Sequence, residues 1–407
     1  MCRSSPRGIE LLKIIAILDV VIESGGGFNQ ALNAIIQMQK LSSNRFAFEV
    51  FTTQVSNVDF LNRLGFQVNV VRVSLLDRFL AAFSQNIIWQ YLQRALRLVG
   101  PLEKKLIFHG CDVVYFVTPS QYPQGLQKLN YINTLWDLCH REALEFPEVR
   151  EFNTFFWREK NYKYSFGSAL LTLTDSAHLA NIASKYYCVD RHRFLPMPFS
   201  PSPFIKQIHA KKSMDTLNKY NLCPDYFYYP AQFWAHKNHI RILQALIILR
   251  DEFNYRPSVV FSGKDYGNLG FLEKYIKKNE LHSQVKILGF VPFEDIRGLY
   301  ENAMAVTMPT YFGPTNLPPL EAWSIGVPLI YSAQLAEQAG NAALLVDPDN
   351  AIELADAMML CRNLDLRTQL IDAGFQRIVE ITNKRKIAEE ELINLLLKFQ
   401  ARRQCWD

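Results

Sequence analysis

Three consecutive glycines stand between a short aliphatic segment and a segment with helical periodicity. They are Gly25, Gly26 and Gly27, preceded by Glu23 and Ser24. Without side chains they let the backbone approach an anion, and the helix that follows offers free amide N–H groups and the positive end of its dipole. The triplet indicates either a phosphate contact or only a flexible turn, because it matches neither the dinucleotide fingerprint nor the P-loop.

A lysine begins a later predicted helix. Lys237 follows the segment Tyr228-Tyr-Pro-Ala-Gln-Phe-Trp-Ala-His and precedes a helix with Ile240, Leu243 and Ile247 on its buried face. At the carboxyl end of a strand, its ammonium group is placed to contact a diphosphate. A positive charge at a helix N-terminus opposes the dipole, so Lys237 is a poor choice for stability alone. A solvated surface lysine is the alternative interpretation.

A third segment combines a strand exit, a loop rich in Gly, Pro and Asn, and a short helix. It runs from Pro309 to Ile330, and its loop can present backbone N–H groups to a ligand. Pro318 and Pro319 suit a first helical turn, and we expect Glu321 within that turn, where a carboxylate is favoured and can accept hydrogen bonds from sugar hydroxyls. The structural alternative is that Glu321 only complements the helix dipole.

Two further polar residues lie just past a predicted strand of the first half. Asp137 and His140 belong to the segment Thr134-Leu-Trp-Asp-Leu-Cys-His-Arg141. We interpret them either as contacts for a donor sugar or an acceptor, or as a turn cap and an exposed loop residue.

No pattern in the sequence favours a metal site. The seven cysteines are scattered, without the close pairs that zinc or a redox dithiol requires, which indicates reduced thiols. Asp347-Pro-Asp349 has the form of a metal-binding pair, but it falls between a strand and a helix, where aspartate and Asn350 suit a turn and an N-cap. We therefore predict no metal.

The composition is that of a globular chain with two domains. Its 407 residues exceed what one hydrophobic core usually serves, and 49% of them are hydrophobic. The aliphatic run at residues 14–18 is far shorter than the ~18 to 20 apolar residues of a membrane span. A formal net charge of +5 is too small to argue for nucleic acid, although it favours anionic substrates or an anionic membrane face.

Short aliphatic runs alternate with helical segments, which predicts parallel sheets covered by helices. The predicted strands are residues 13–18, 46–51, 67–73, 112–117, 131–135, 170–174, 227–229, 258–262, 285–288, 305–308, 329–331 and 343–346. Four prolines between Leu195 and Phe204 prevent regular structure and predict a linker. The expected fold is α/β. It comprises two doubly wound Rossmann-like domains, residues 1–203 and residues 204–382, which face each other across a cleft. A C-terminal helix at 383–407 is expected to pack back on the body.

Taken together, these segments resemble the nucleotide-sugar-dependent glycosyltransferases of family 4, or group 1, which have the GT-B fold. The resemblance covers roughly residues 12–381 and is most specific in the second half. It rests on Pro230-Ala-Gln-Phe-Trp-Ala-His-Lys-Asn-His239, Phe261-Ser-Gly-Lys264, Val285-Lys-Ile-Leu-Gly-Phe-Val-Pro292, Leu299-Tyr-Glu-Asn-Ala303, Pro319-Leu-Glu-Ala322 with Gly326-Val-Pro328, Glu337-Gln-Ala-Gly340 and Ala343-Leu-Leu-Val-Asp-Pro348. Seven matches in order are hard to obtain by chance.

The resemblance implies an acceptor-side first domain and a donor-binding second domain. In the family, the lysine corresponding to Lys237 contacts the donor diphosphate, the glutamate corresponding to Glu321 contacts the ribose, and the loop corresponding to residues 25–27 borders the phosphate and sugar. Further donor-binding residues are expected at Gln232, Thr310, Thr315, Asn316 and Leu317. The catalytic residues are expected to be Lys237, Asp137 and His140.

Two positions depart from the family pattern. Gln232 stands where the family often has an arginine, which removes one positive charge from the diphosphate site. Thr310 stands where the family has the first glutamate of a paired motif, with three extra residues before Glu321. One alternative is therefore a sugar-nucleotide-binding partner protein without catalysis. A second alternative is a sugar-nucleotide epimerase of the same fold.

The resulting hypothesis is a retaining hexosyltransferase that moves a sugar from a nucleoside diphosphate to the hydroxyl of a glycan or lipid-linked acceptor, in surface polysaccharide biosynthesis. Fixed positive groups around the departing diphosphate are the main catalytic device expected, with no cofactor and no metal. The expected location is the cytoplasm, with a peripheral contact at the inner face of the membrane. We expect no nucleic-acid partner and predict no oligomeric state.

Overall fold

The computed structural model describes residues 11–22, 25–84, 86–96, 98–206, 210–313 and 315–405. In this part of the chain, strands and helices alternate as the sequence predicts. The strands are β1 Lys13–Leu18, β2 Ala47–Thr52, β3 Val68–Val70, β4 Val113–Phe116, β5 Asn130–Leu135, β6 Leu171–Thr174, β7 Phe194–Pro196, β8 Tyr226–Pro230, β9 Val259–Ser262, β10 Val285–Ile287, β11 Ala303–Met308, β12 Leu329–Ser332 and β13 Leu344–Val346.

Helices follow most strands and cover the sheets. They are α1 Gly26–Ser42, α2 Val58–Arg63, α3 Leu75–Phe83, α4 Ile87–Ala95, α5 Pro101–Phe108, α6 Cys139–Glu142, α7 Pro147–Arg150, α8 Thr154–Ser168, α9 Ala177–Tyr187, α10 Ala210–Tyr220, α11 His239–Phe253, α12 Leu269–Lys278, α13 Phe293–Glu301, α14 Leu317–Ile325, α15 Ala336–Ala339, α16 Ala351–Leu360 and α17 Leu364–Arg403. Within the described ranges, none of these helices has the length and apolar character needed to cross a bilayer.

The first sheet has seven parallel strands in the order β3-β2-β1-β4-β5-β6-β7. Its central strand β1 is almost wholly aliphatic, and Ile14 to Leu18 are buried because helices cover both faces of the sheet. The strand order reverses direction between β1 and β4. At such a switch point the loops after the two strands diverge, which leaves room for a ligand at their carboxyl ends.

The second sheet has six parallel strands in the order β10-β9-β8-β11-β12-β13. Its core is rich in buried aromatic rings, including Tyr226, Phe227, Tyr228 and Tyr229 of β8. Here the switch point lies between β8 and β11. The loops that follow these two strands contain Lys237 and the segment from Thr310 to Asn316.

Each of the twelve predicted strands overlaps an observed one, but the predicted linker is partly wrong. Its first residues belong to β7, which pairs with β6 at the edge of the first sheet. Proline is tolerated there because an edge strand has one side without ladder hydrogen bonds.

The C-terminal helix also begins earlier than predicted. It starts at Leu364 instead of Asn383, because the side-chain oxygen of Asn363 accepts hydrogen bonds from the backbone N–H groups of Asp365 (2.9 Å) and Leu366 (3.1 Å) and caps the first turn.

By their contacts, the described residues fall into two units. The first comprises those within Met1–Trp136, Phe156–Met197 and Arg385–Asp407, and the second those within Asp137–Phe155 and Pro198–Lys384. The segment 137–155 thus packs with the second unit, whereas the predicted boundary at residues 203 and 204 leaves it in the first domain.

Candidate functional site

Lys237 lies on a short 3-10 turn, Ala235–Lys237, between β8 and α11. The hydroxyl of Tyr229 donates a hydrogen bond to the Lys237 carbonyl oxygen at 2.8 Å. The next residue, Asn238, has a left-handed backbone (φ 57°), and its side-chain amide donates to the carbonyl oxygens of Pro309 (3.0 Å) and Pro348 (2.8 Å). The turn is therefore fixed by the strand below it and by two neighbouring loops.

The ammonium group of Lys237 is half-buried and points towards the loop after β11. Its Nζ atom donates a hydrogen bond to Oδ1 of Asn316 at 3.2 Å. Burial lowers the pKa of Lys237 to about 8, and the nearby Asp137 carboxylate acts in the opposite direction. The ammonium is thus held where it is poorly hydrated, and an anion that reaches it will interact strongly.

Asn316 is held in one orientation by its neighbours. Its side-chain amide donates to the Gly313 carbonyl oxygen at 2.7 Å and to the Tyr331 hydroxyl at 2.8 Å. Gln338 accepts from the Asn316 backbone N–H at 2.9 Å and donates to the Asn316 carbonyl oxygen at 2.7 Å. Because both amide hydrogens are used, Oδ1 is left to accept from Lys237.

Tyr331 and Gln338 are residues that the sequence reasoning missed. The Tyr331 hydroxyl donates to the Gln338 side-chain oxygen at 2.7 Å, so the two residues form one buried network with Asn316. Gln338 lies in the Glu337-Gln-Ala-Gly340 match, which is the signal that could have found it.

Thr310 and Gln232 are the two departures from the family pattern. Both lie beside the Ala235–Lys237 turn. Thr310 is fully buried, and its hydroxyl lies within hydrogen-bond distance of the carbonyl oxygens of His236 (3.2 Å) and Phe312 (3.1 Å). The side-chain oxygen of Gln232 accepts from the Trp234 indole at 3.1 Å. Thr310 therefore supports the loop backbone and does not present its hydroxyl to solvent.

The loop after β11 ends at Asn316, and α14 begins at Leu317. Leu317 and Asn316 are buried, and Thr315 is half-buried. Since Pro318 and Pro319 have no N–H, the Leu317 amide is the donor available in the first three positions of the helix.

Glu321 lies just beyond the first turn of α14, one residue later than predicted. It is buried, and the Tyr300 hydroxyl donates a hydrogen bond to its Oε2 at 2.7 Å. Burial raises the pKa of Glu321 to about 7, although the hydrogen bond from Tyr300 acts to lower it. A carboxyl group with this pKa is close to half-protonated at neutral pH.

A histidine and a glutamate that no sequence pattern singled out meet beside Lys237. Nδ1 of His236 is hydrogen-bonded to Glu148 of α7, and the His236 backbone N–H donates to the same carboxylate oxygen at 3.0 Å. Burial lowers the pKa of His236 to about 4. Burial alone would raise the pKa of Glu148, but its hydrogen bonds from His236 lower it. The pair is therefore a neutral imidazole that donates to a carboxylate.

The His236 ring forms part of an aromatic cluster. It stacks on Phe312 with ring centroids 3.9 Å apart. Phe146, from the same segment as Glu148, contacts the rings of Tyr311 (5.2 Å) and Phe312 (5.5 Å). These contacts explain why the segment 137–155 packs with the second unit.

Asp137 and His140 belong to this same segment. Asp137 accepts a hydrogen bond from the Cys139 backbone N–H at 3.0 Å, as expected of a residue that caps a turn. His140 lies in the short helix α6, is fully buried and packs against the Phe155 ring at 5.7 Å. The alternative that His140 is an exposed loop residue is therefore wrong.

The glycine triplet belongs to the first unit, at the switch point of its sheet. Gly25 precedes α1 with a positive φ of 62°, and Gly26 and Gly27 are the first two helical residues. A Cβ atom on Gly27 would lie 3.4 Å from the Trp136 ring. Glu23 and Ser24 lie outside the described residues. The helix thus begins at the triplet, with its first amides free of intrahelical acceptors.

Asp347 and Asp349 lie in a turn, as the sequence indicated. The Asp349 backbone N–H donates to Asp347 at 2.9 Å, and Asn350 caps α16 by accepting from Ile352 and Glu353. Asp349 also accepts from the Tyr311 hydroxyl at 2.6 Å. Over the described part of the chain, no three His, Cys, Asp or Glu side chains form a group that could hold a metal ion.

Comparison with known proteins gives this geometry a context. Residues 218–377 match the model of the family described as "Glycosyl transferases group 1". The O-antigen chain mannosyltransferase B of Escherichia coli is 30% identical over 253 residues, which is 61% of this chain and 62% of that protein. The chain thus spans less than two thirds of the length of this curated relative.

Two solved structures illustrate the similarity in fold. HepE of Anabaena, in complex with UDP-glucose, is 16% identical with a TM-score of 0.70, over 94% of this chain and 99% of that one. WaaG, a glycosyltransferase involved in lipopolysaccharide biosynthesis, is 14% identical with a TM-score of 0.64, over the same shares. The predicted resemblance to group 1 glycosyltransferases and the predicted GT-B fold class, with two doubly wound Rossmann-like domains, are both confirmed.

Proposed function

We propose that the protein is a glycosyltransferase that moves a sugar from a nucleoside diphosphate to a hydroxyl acceptor with retention at the anomeric carbon. The observation that carries this proposal is the hydrogen bond between Lys237 and Asn316. It joins the loops after β8 and β11, at the switch point of the second sheet, where parallel α/β sheets bind ligands. Both residues lie inside the region that matches the group 1 glycosyltransferases.

In the proposed reaction, negative charge accumulates on the departing diphosphate. The Lys237 ammonium is poorly hydrated and already oriented, so it stabilises that charge without reorganising. The backbone N–H groups of Thr315, in the loop before α14, and of Leu317, the first residue of α14, supply further donors. A phosphate oxygen of the leaving group takes the proton of the acceptor hydroxyl, so the reaction needs no separate base, metal or cofactor.

The names of the relatives suggest a donor sugar and an acceptor that can be tested. The Escherichia coli relative is a mannosyltransferase of O-antigen chains, and we take a mannosyl donor and a growing surface glycan, or its lipid-linked precursor, as the first candidates. A cytoplasmic location is part of the same proposal.

The first experiment measures donor binding by thermal shift with uridine, guanosine and adenosine diphosphates. A ligand that binds only the folded protein raises its melting temperature, so one nucleotide should stand out. Transfer is then measured with the corresponding sugar nucleotides, with and without EDTA. Lys237→Met should lower the transfer rate at least about a hundredfold, as expected for one charged group aimed at a leaving group.

The control is Lys286→Met, which removes an exposed lysine from β10 of the same unit. It should leave both binding and transfer unchanged. If Lys237→Met transfers at the wild-type rate, the assignment of Lys237 is wrong.

The two alternatives give different results in the same assays. A binding partner without catalysis, suggested by Gln232 and Thr310, would show the thermal shift but release no nucleoside diphosphate with any acceptor. An epimerase would release nucleotide from the donor without an acceptor.

A further inference from the structure

Two helices of the first unit expose apolar side chains. Leu75, the most exposed of them, has 83% of its surface accessible, and Ile88 has 75%. The exposed apolar residues are Leu75, Leu76, Phe79 and Phe83 on α3, Ile88, Tyr91 and Leu92 on α4, and Leu96 just after it. Scattered single apolar residues are normal on a surface, but a cluster on two consecutive helices indicates an interaction site.

Each of the two helices has a buried polar residue. On α3, Asp77 is buried and accepts hydrogen bonds from the backbone N–H groups of Ser74 (2.9 Å) and Leu102 (3.0 Å). On α4, Gln93 is buried and its side-chain amide donates to the Leu98 carbonyl oxygen at 3.3 Å. Asp77 lies on the buried side of α3 with Leu80 and Ala81, while the leucine, phenylalanine and tyrosine side chains named above remain exposed.

Aromatic rings join α3 to α4, and a lysine joins α3 to α8. The ring of Phe79 lies 4.3 Å from that of Phe83 and 4.9 Å from that of Trp89. Lys160 of α8 donates to the Ala82 carbonyl oxygen at 2.5 Å.

Lys160 also lies over the ring of Trp157, at 5.3 Å from its centroid. Trp157 and its neighbour Phe156 are themselves exposed. We call the exposed apolar residues of α3 and α4, together with Leu96, Phe156 and Trp157, the apolar surface.

Over residues 72–108, which contain α3 and α4, the exposed charged side chains that the structure describes have one sign. By sequence, residues 72–108 contain six basic and two acidic residues. Both carboxylates are buried: Asp77 in the cap of α3, and Glu103 against the backbone N–H groups of residues 127–129. The exposed charged side chains described in this stretch are all basic: Arg72, Arg78, Lys104 and Lys105.

We infer that the apolar surface docks on a lipid bilayer that contains anionic lipids. Leucine and phenylalanine side chains insert at the boundary between headgroups and acyl chains, tyrosine and tryptophan favour that boundary, and arginine and lysine attract anionic headgroups. A second copy of this chain fits less well, because a symmetric contact would bring the same basic residues against each other. Docking does not depend on the proposed transfer reaction.

The test is a flotation assay with the full chain and vesicles of phosphatidylcholine alone or with 30% phosphatidylglycerol. Binding to the anionic vesicles should be at least about tenfold tighter and should weaken in high salt, which screens the charges. The double variant Leu75→Ser/Tyr91→Ser should lose at least about tenfold in affinity, and so should Arg72→Gln/Arg78→Gln. Equal binding of wild type and both variants would overturn the proposal.

The matched control is Leu364→Ser/Val379→Ser on α17, which removes two similarly exposed apolar side chains from the second unit. It should bind vesicles like the wild type. Melting temperatures and the thermal shift with nucleoside diphosphates should be unchanged in all variants, so a loss of vesicle binding is separated from any failure of donor binding.

A second measurement is the quenching of tryptophan fluorescence in the presence of vesicles. Brominated lipids should quench tryptophan emission, and the quenching should fall in Trp89→Phe/Trp157→Phe but not in Trp234→Phe. If the wild type instead sediments as a dimer that Leu75→Ser/Tyr91→Ser converts to a monomer, without vesicle binding, the surface pairs two copies and the bilayer proposal is wrong.

Discussion

The Nζ atom of Lys237 and the Oδ1 atom of Asn316 lie 3.2 Å apart and join two loops that are 79 residues apart in sequence. The backbone of each residue is fixed separately, Lys237 by Tyr229 and Asn316 by Gln338. The ammonium therefore has a defined position before any ligand binds. Preorganisation of this kind is what an electrostatic catalytic group requires.

The first prediction concerns Gly313, which has a positive φ of 110° in the loop before Asn316. A Cβ atom at this position would lie 2.8 Å from Oδ1 of Asn316, so Gly313→Ala must displace the partner of Lys237. We expect donor affinity to fall about tenfold or more, as measured by calorimetric titration.

Gly267→Ala is the matched control. Gly267 also has a positive φ (103°), but a Cβ atom there meets nothing within 4 Å. The backbone strain is thus present in both variants, whereas the clash with Asn316 occurs only in Gly313→Ala. Equal donor affinity in the two variants would show that Asn316 does not position the ammonium.

The second prediction is a pH dependence of donor binding. Burial lowers the pKa of Lys237 to about 8, so the positive charge is present below pH 8 and is lost as the pH rises through it. The affinity for a sugar nucleotide, whose phosphates stay ionised, should be constant near pH 6 to 7 and then fall, approaching about tenfold per pH unit above 8.

Lys237→Arg is the control, because a guanidinium keeps its charge over this range. Its affinity should be independent of pH from 6 to 9, even if it is lower than that of the wild type. A falling profile in Lys237→Arg would assign the pH dependence to another group.

The sequence was sufficient to predict both sheets, because buried parallel strands are nearly continuous aliphatic or aromatic runs such as Lys13–Leu18. It failed at β7, because Pro196 argues against a strand in the sequence. The proline is tolerated only because β7 lies at the edge of the sheet. It failed again at the start of α17, where a single capping residue, Asn363, decides the boundary.

At the site, the sequence identified residues that lie on loops after predicted strands, such as Lys237 and Asn316. It did not identify Glu148 or Tyr331, because nothing in their local pattern shows that the chain brings them to His236 and Asn316. Side-chain partners that are distant in sequence depend on tertiary packing, and the periodicity of one segment contains no information about them.

The third prediction concerns Glu148, which attaches α7 to His236. Glu148→Gln keeps the shape of the side chain but removes the charge that accepts two hydrogen bonds. Loss of a charged acceptor in a largely buried pair costs about 1 to 3 kcal/mol. We expect amide hydrogen exchange in peptides from residues 139–155 to become about tenfold faster or more. Glu145→Gln, an exposed glutamate of the same segment, should leave the exchange unchanged.

The fourth prediction links Glu321 to stability. Burial raises the pKa of Glu321 from 4.5 to about 7 in the folded protein, so folding favours the protonated carboxyl. This contribution to the free energy of unfolding is fully present below pH 4.5 and is lost as the pH rises through 7. A shift of this size corresponds to about 3 kcal/mol between the two limits.

Glu321→Gln imitates the protonated side chain and can still accept the hydrogen bond from Tyr300. The wild type should therefore lose stability relative to Glu321→Gln as the pH rises from 5 to 8, which urea unfolding monitored by circular dichroism can measure. Glu273→Gln, an exposed residue of α12, should follow the wild type at every pH. If Glu321→Gln also runs parallel to the wild type, the carboxyl is already ionised in the folded protein. Tyr300 and the surrounding backbone must then stabilise a buried charge, and Glu321 would be an anion ready to accept hydrogen bonds from a ligand at neutral pH.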